Sequence, residues 1–229
     1  MKRLAFNIET AVDQAKLDRM PEPKVLLGNL KDPAKIAEKI EEAKQKQAER
    51  AALDPHFGRV ICVTVAERDG MNGAPCDTYI RQDLGENDAD DAERELLRWF
   101  WDRARNSKAF VSFNGSSFDV PFMLRRSLLL GIRPAPIPCG KYQVIQPSCE
   151  HLDLLNLLKD EWGFETSYSQ NLAFFVREIL GVEFPFADLD QSQLGAFLEA
   201  GEGQVIRDLC EWNTKHTLML SEVVEHVYA

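Results

Sequence analysis

The chain has 229 residues, 45% of them hydrophobic, which is enough for one large domain or one domain carrying an insertion. Its formal charge of −10 argues against a broad basic surface that would hold nucleic acid non-specifically, while leaving room for a narrow acidic site. The sequence has no apolar leader and no apolar run of about 18 residues, the length a membrane span needs, so a cytoplasmic protein with no membrane contact is expected. The five cysteines are scattered, form no C-x-x-C pair and match no common zinc spacing, which favours reduced thiols over a metal site or a disulfide framework.

Arg3 to Thr10 reads as a strand. Alternation places Leu4, Phe6 and Ile8 on one face and Ala5, Asn7 and Glu9 on the other. Two oxygen-bearing side chains at a strand end make half of a hard-cation site, and the simpler alternative is a strand emerging into solvent. Residues 11–30, with Pro21 and Pro23, read as an extended loop. Asp32-Pro33 then starts a helix, an N-cap acceptor followed by proline at the first helical position. That helix continues to about Leu53 with only Ile36, Ile40 and Ala43 as an apolar stripe, so it belongs on the surface or projects as an arm.

Asp54 to Gly58 is a turn, Arg59 to Glu67 a β-branched strand, Asp69 to Gly73 a hairpin turn and Asp77 to Arg81 a further strand. Asn87 to Arg105 is helical, with Leu96, Leu97, Phe100 and Trp101 on one face. The strand Ala109 to Phe113 runs into Asn114-Gly115, a tight turn, and then a helix that starts near Asp119. A plain N-cap is the simplest role for that aspartate. Residues 131–149 read as a loop, and His151 to Leu155 as another apolar segment. Helices are expected over Asn171 to Leu180, Asp190 to Ala200 and Gln204 to His226. The last carries Ile206, Leu209, Cys210, Asn213, Thr217 and Leu220 along one face, where a buried amide would need partners. The sequence contains no P-loop, no G-x-G-x-x-G and no G-x-S-x-G.

Three separated stretches combine: Phe6-Asn7-Ile8-Glu9-Thr10, Phe113-Asn114-Gly115-x-x-Phe118-Asp119-x-Pro121, and Cys210-Glu211-x-Asn213. Their order and spacing resemble the DEDD-class 3′–5′ exonucleases, above all the predicted exonucleases related to the proofreading domain of family B DNA polymerases. His151-Leu152-Asp153-Leu154 and the lead into Phe57-Gly58-Arg59-Val60 share in the likeness, which covers nearly the whole chain.

The resemblance implies a single α/β exonuclease-like domain over 1–229 with an RNase H-like mixed five-stranded sheet flanked by helices and a helical insertion over about 11–55. It implies Asn7, Glu9, Asp119 and Asn213 at the catalytic positions, with Glu9 and Asp119 as the metal ligands that remain. Thr10, Asn114 and Phe118 would line the pocket for a single-stranded DNA or RNA 3′ end. The implied cofactor is a pair of Mg²⁺ or Mn²⁺ ions acting in phosphodiester hydrolysis. Three positions depart from the family pattern: Asn7 and Asn213 stand at aspartates and Leu209 at a tyrosine. Each asparagine removes a unit of negative charge, so weak metal occupancy and weakened or lost hydrolysis are expected, and three altered positions suggest natural divergence, the alternative being an engineered inactive variant. The alternative is a non-catalytic module that binds nucleic-acid ends or a protein partner.

Overall fold

The computed structural model describes residues 3–67, 76–80, 89–137, 149–161 and 171–228. The hairpin turn expected over 69–73, Arg81, the helix start at 87–88 and most of the loop over 131–149 lie outside the described residues. In chain order the elements are β1 (Leu4–Val12), α1 (Gln14–Leu17), α2 (Pro33–Glu49), β2 (Gly58–Glu67), β3 (Cys76–Ile80), α3 (Ala89–Ala104) and β4 (Ala109–Ser112), followed by α4 (Asp119–Leu130), β5 (Glu150–Asp153), α5 (Leu172–Phe175), α6 (Leu194–Glu199) and α7 (Gly203–Tyr228). The strands form one mixed sheet in the order β3-β2-β1-β4-β5. β1 is central, antiparallel to β2 and parallel to β4, while β2–β3 is antiparallel and β4–β5 parallel.

The alternation along β1 explains how the layers are filled. Leu4, Phe6 and Ile8 enter a core with Leu96, Phe100 and Trp101 of α3 and Val120, Phe122 and Met123 of α4. Ala5 enters a different core, with Leu218, Leu220 and Val224 of α7. Further along the same face, Ala11 packs with Ile61, Ile206, Leu209 and Cys210. Asn7 and Glu9 lie between these two alanines on the face that α7 covers, which is why the sheet and the last helix can share a site. The pairing of β1 with β2 shifts register between Glu9 and Thr10, a bulge of the kind that re-aims side chains at strand ends.

A buried ion pair joins the elements behind the site. Glu93 of α3 and Arg126 of α4 are each fully buried. Arg126 donates through Nε at 2.9 Å and Nη2 at 2.5 Å to Glu93, and through Nη1 at 3.1 Å to the Pro55 carbonyl. Glu93 also accepts the Val60 amide at 2.9 Å. One carboxylate therefore ties α3, α4 and the start of β2 together. Beyond the end of β1, Asp13 pairs with Arg59 at 2.7 Å and Lys16 at 2.8 Å, and the guanidinium of Arg59, with Lys16, holds Asp13 below the usual carboxylate range against the opposing effect of burial.

The expected helix after Asp32-Pro33 is α2, capped as its sequence suggests by the Asp32 side chain accepting from Ala34 N at 3.0 Å. It ends at Glu49, short of Leu53; a 3₁₀ turn over Ala51–Leu53 follows and buries Ala51 and Ala52. No residue of α2 is buried. The chain before it runs back along it in extended form: Lys39 Nζ donates to Leu26 O at 2.7 Å, Gln47 Nε2 to Pro21 O at 3.1 Å, and Lys44 pairs with Glu22 at 3.1 Å. Helix and strap thus make an arm that contributes little to the core. Replacing residues 19–48 by a Gly/Ser linker is expected to leave a cooperative thermal transition in circular dichroism, and a broad, non-cooperative melt would place the arm in the folding unit. Among the described residues no helix is long and apolar enough to cross a membrane.

Candidate active site

A cleft of about 580 Å³ opens at the end of β1 and brings together Asn7, Glu9, Thr10, Asn114, Phe118, Asp119 and Asn213, from strand, loop and last helix. Glu9 and Asp119 are buried, at 8% and 5% exposure. Asp119 is the first residue of α4, and its Oδ1 accepts the Ile8 amide of β1 at 3.0 Å. The N-cap position belongs to Phe118, whose side chain makes no capping bond. Asp119 therefore joins helix to strand, a contact that the simple cap reading did not include.

The asparagines hold the centre of the site. Asn7 Nδ2 donates to Glu9 Oε1 at 3.0 Å, and Asn213 Nδ2 donates to the same oxygen at 3.1 Å. Glu9 Oε1 is the acceptor in both bonds, so each amide presents its nitrogen to it. Asn7 Nδ2 also reaches Cys210 Sγ at 3.5 Å, and that thiol donates to the Asn7 carbonyl at 3.4 Å. Residues 210 and 213 lie one turn apart on α7, so both can meet β1 from a single helix face. Leu209 is fully buried in the core with Ile61, Cys62 and Ile206 and does not line the cleft.

Burial sets the acidity here. Glu9 is pushed up from 4.5 to about 8, chiefly by desolvation, with the two asparagine bonds pulling down and the Asp119 charge pushing up. Asp119 is pushed from 3.8 to about 7, again chiefly by burial and against the Ile8 hydrogen bond. Between these folded values and the unfolded ones the native state holds protons that the unfolded chain has released, so both groups stabilise the fold most at low pH. Stability is expected to fall as pH rises from 3.8 to about 8 and then to level off, as read by thermal denaturation in EDTA; a rise across that window would show the carboxylates to be stabilised as anions.

Asp153 sits beside the site but is occupied with its architecture. It accepts Asn114 N at 2.8 Å, Ser116 N at 2.9 Å, Ser116 Oγ at 2.5 Å and Leu155 N at 3.1 Å. The turn it holds is demanding. Asn114 has φ 66°, in the left-handed region, and a Cβ at Gly115 would come within 2.3 Å of Ser112 Oγ. Ser112 Oγ in turn accepts Gly115 N at 3.1 Å and lies 2.8 Å from His151 Nε2. Asp153→Ala strips four donors of one acceptor, and since a hydrogen bond to a charged group contributes about 1.5–3 kcal/mol, a loss of about 3 kcal/mol in chemical denaturation is expected. A change below about 0.5 kcal/mol, the scale of a neutral surface change, would mean that the turn holds itself.

The resemblance implies paired divalent ions at this site. Two carboxylates stand where the family pattern has four, one of them already accepts two amide donors, and no group of three or more His, Cys, Asp or Glu side chains suited to a metal occurs among the described residues. Divalent cations of this class need several oxygens with their charge, and the arrangement does not fit a two-metal centre. The sequence reading also missed lining residues: Phe113, Asn171, Phe184 and Ser192 border the cleft. Phe113 opens the second motif but carries no assigned role there, and Phe184 lies in an irregular segment without periodicity.

A family model described as a predicted 3′–5′ exonuclease related to the exonuclease domain of PolB matches residues 51–226. The chain belongs to this family. β1, with Asn7 and Glu9, precedes the matched residues of this PolB-related exonuclease. The chain is 31% identical over 118 residues to DNA polymerase 1 of Sulfurisphaera ohwakuensis, covering 44% of this chain and 13% of that protein. Over 97 residues it is 33% identical to DNA polymerase 1 of Saccharolobus solfataricus, covering 39% and 11%. It thus spans only 13% and 11% of these two relatives' length. The family B DNA polymerase from the archaeon Pyrobaculum calidifontis shares the fold, with a TM-score of 0.64 at 16% identity over 98% of this chain and 24% of that one.

Proposed function

We propose that this chain is a 3′–5′ exonuclease-type domain whose cleft receives a single-stranded DNA or RNA 3′ end, with phosphodiester hydrolysis weakened or lost. In this reading residues 1–229 form one domain, the sheet is RNase H-like with five strands, and the arm within about 11–55 is an insertion. Asn7, Glu9, Asp119 and Asn213 occupy the catalytic positions, Glu9 and Asp119 are the remaining metal ligands, and Thr10, Asn114 and Phe118 meet the substrate.

The observation that carries the reading is the pair of amide bonds to Glu9 Oε1, at 3.0 and 3.1 Å. Hydrogen-bond donors stand where the family pattern has further carboxylates, so Mg²⁺ or Mn²⁺ must compete with the protein's own N–H groups. Removing one partner of a buried charge pair costs about 3–5 kcal/mol, and two such losses at a metal centre leave occupancy weak. The test is release of mononucleotides from a 3′-labelled single-stranded oligonucleotide in Mg²⁺ or Mn²⁺. Little or no release is expected from the chain as it stands, and rapid, metal-dependent release would overturn the proposal.

A further inference from the structure

Two thiols lie behind the cleft, where α7 covers the sheet. Cys62 of β2 is paired with Glu9 of β1, and Thr64 with Asn7, so these four side chains share one face. Cys210 meets that face from α7. Its Sγ accepts from Asn7 Nδ2 at 3.5 Å and donates to the Asn7 backbone carbonyl at 3.4 Å. A cysteine side chain has only two heavy atoms, so a sulfur resting on a strand carbonyl means that the helix backbone itself comes close to the sheet. Cys62 and Cys210 are both fully buried, pack in one cluster with Ala11, Ile61 and Leu209, and touch through their thiols. Both are free. Cys149 packs instead against the core of α3 and α4, on the opposite face of β1.

We propose that Cys62 and Cys210 are an oxidisable pair, which hydrogen peroxide converts to a disulfide that locks α7 onto β2. One thiolate attacks a peroxide oxygen; the O–O bond breaks, water leaves and a sulfenic acid remains. The second thiolate attacks that sulfur; the S–S bond forms, the S–O bond breaks and a second water leaves. The two thiols lose two protons and two electrons, and the peroxide is reduced to two waters. Burial pushes the Cys210 thiol up, so the reaction is slow and belongs to a small neutral oxidant and not to a bulky disulfide. The bond closes a loop of about 150 residues, which restricts the unfolded chain strongly. It also removes the proton that Cys210 donates to Asn7, one turn of α7 before Asn213. The device is independent of what the cleft binds.

The experiment treats the folded full chain with hydrogen peroxide at neutral pH, blocks the remaining thiols with N-ethylmaleimide during unfolding, and maps tryptic peptides by mass spectrometry. The expected product joins residues 60–68 to residues 208–215, at the mass of the two peptides less two hydrogens, and dithiothreitol separates them. The Tm of the full chain is expected to rise by about 10 °C on oxidation and to return on reduction. Cys62→Ala is expected to abolish both the linked product and the shift, and Cys210→Ala serves as the second variant should the first fail to fold. Unlinked peptides after oxidation of the folded chain overturn the proposal, whether Cys62 and Cys210 are recovered as thiols or as separate sulfinic acids. A linked product with an unchanged or lowered Tm also overturns it, because the bond would then strain the fold and not lock it.

Discussion

Asn7→Asp combined with Asn213→Asp is expected to convert a metal-indifferent protein into a metal-dependent one. Each change keeps the side chain's shape and replaces an amide that donates to Glu9 at 3.0 or 3.1 Å with another acceptor. In EDTA the variant loses both bonds and gathers four carboxylates, counting Glu9 and Asp119, around one cleft. Two buried hydrogen bonds, at about 0.5–1.5 kcal/mol each, set a loss of about 1–3 kcal/mol. Mn²⁺ then returns much of it, because a ligand bound only by the native state contributes about 2.7 kcal/mol at a hundred times its dissociation constant. Thermal denaturation with and without Mn²⁺ reads both effects. Metal-dependent release of mononucleotides should appear in the same variant, with Leu209 left alone, since a larger side chain in that filled core would cost about 1–3 kcal/mol in packing. A double variant as stable in EDTA as the parent would show that the amides contribute nothing at Glu9.

Arg126→Leu is expected to cost about 3–5 kcal/mol, because it leaves the Glu93 carboxylate fully buried without its guanidinium partner. For a domain of this size that corresponds to a fall in Tm of about 6–20 °C. The Val60 amide remains as a partner of Glu93 but carries no charge to balance it. Calorimetry of the variant checks the value, and a loss below about 1 kcal/mol would mean that water or a shifted side chain replaces the guanidinium. The effect should leave the cleft chemistry alone, since neither residue lines it.

The sequence carried the parts of this fold that depend on spacing. Alternation along Leu4 to Glu9 assigned the two faces of the central strand, and the apolar face of α3 followed from Leu96, Leu97, Phe100 and Trp101. The cap and proline at Asp32-Pro33 marked the start of α2. What depended on tertiary partners was not legible. Local sequence offers Asp119 as a cap and the resemblance offers it as a metal ligand, but neither points to the Ile8 amide, 111 residues away. Asp153 gave no sign that it holds the Asn114–Ser116 turn, since backbone donors are the same at every position. The helix expected over Asn171 to Leu180 is an α-turn followed by a π-type turn over Val176–Leu180, a difference in hydrogen-bond reach that apolar spacing does not encode. The asparagines were recognised as lost charge, but their role as donors to Glu9 required the placement of α7 over β1.

The central claim is that amide hydrogens occupy the place of metal ions at Glu9. Counting Mn²⁺ bound per chain at neutral pH, from the electron paramagnetic resonance signal of the free ion, tests it most directly. The account predicts no stoichiometric Mn²⁺ on the unmodified chain at sub-millimolar free metal, with binding appearing once Asn7 and Asn213 are both aspartate. Two Mn²⁺ ions held by the unmodified chain under the same conditions would contradict it.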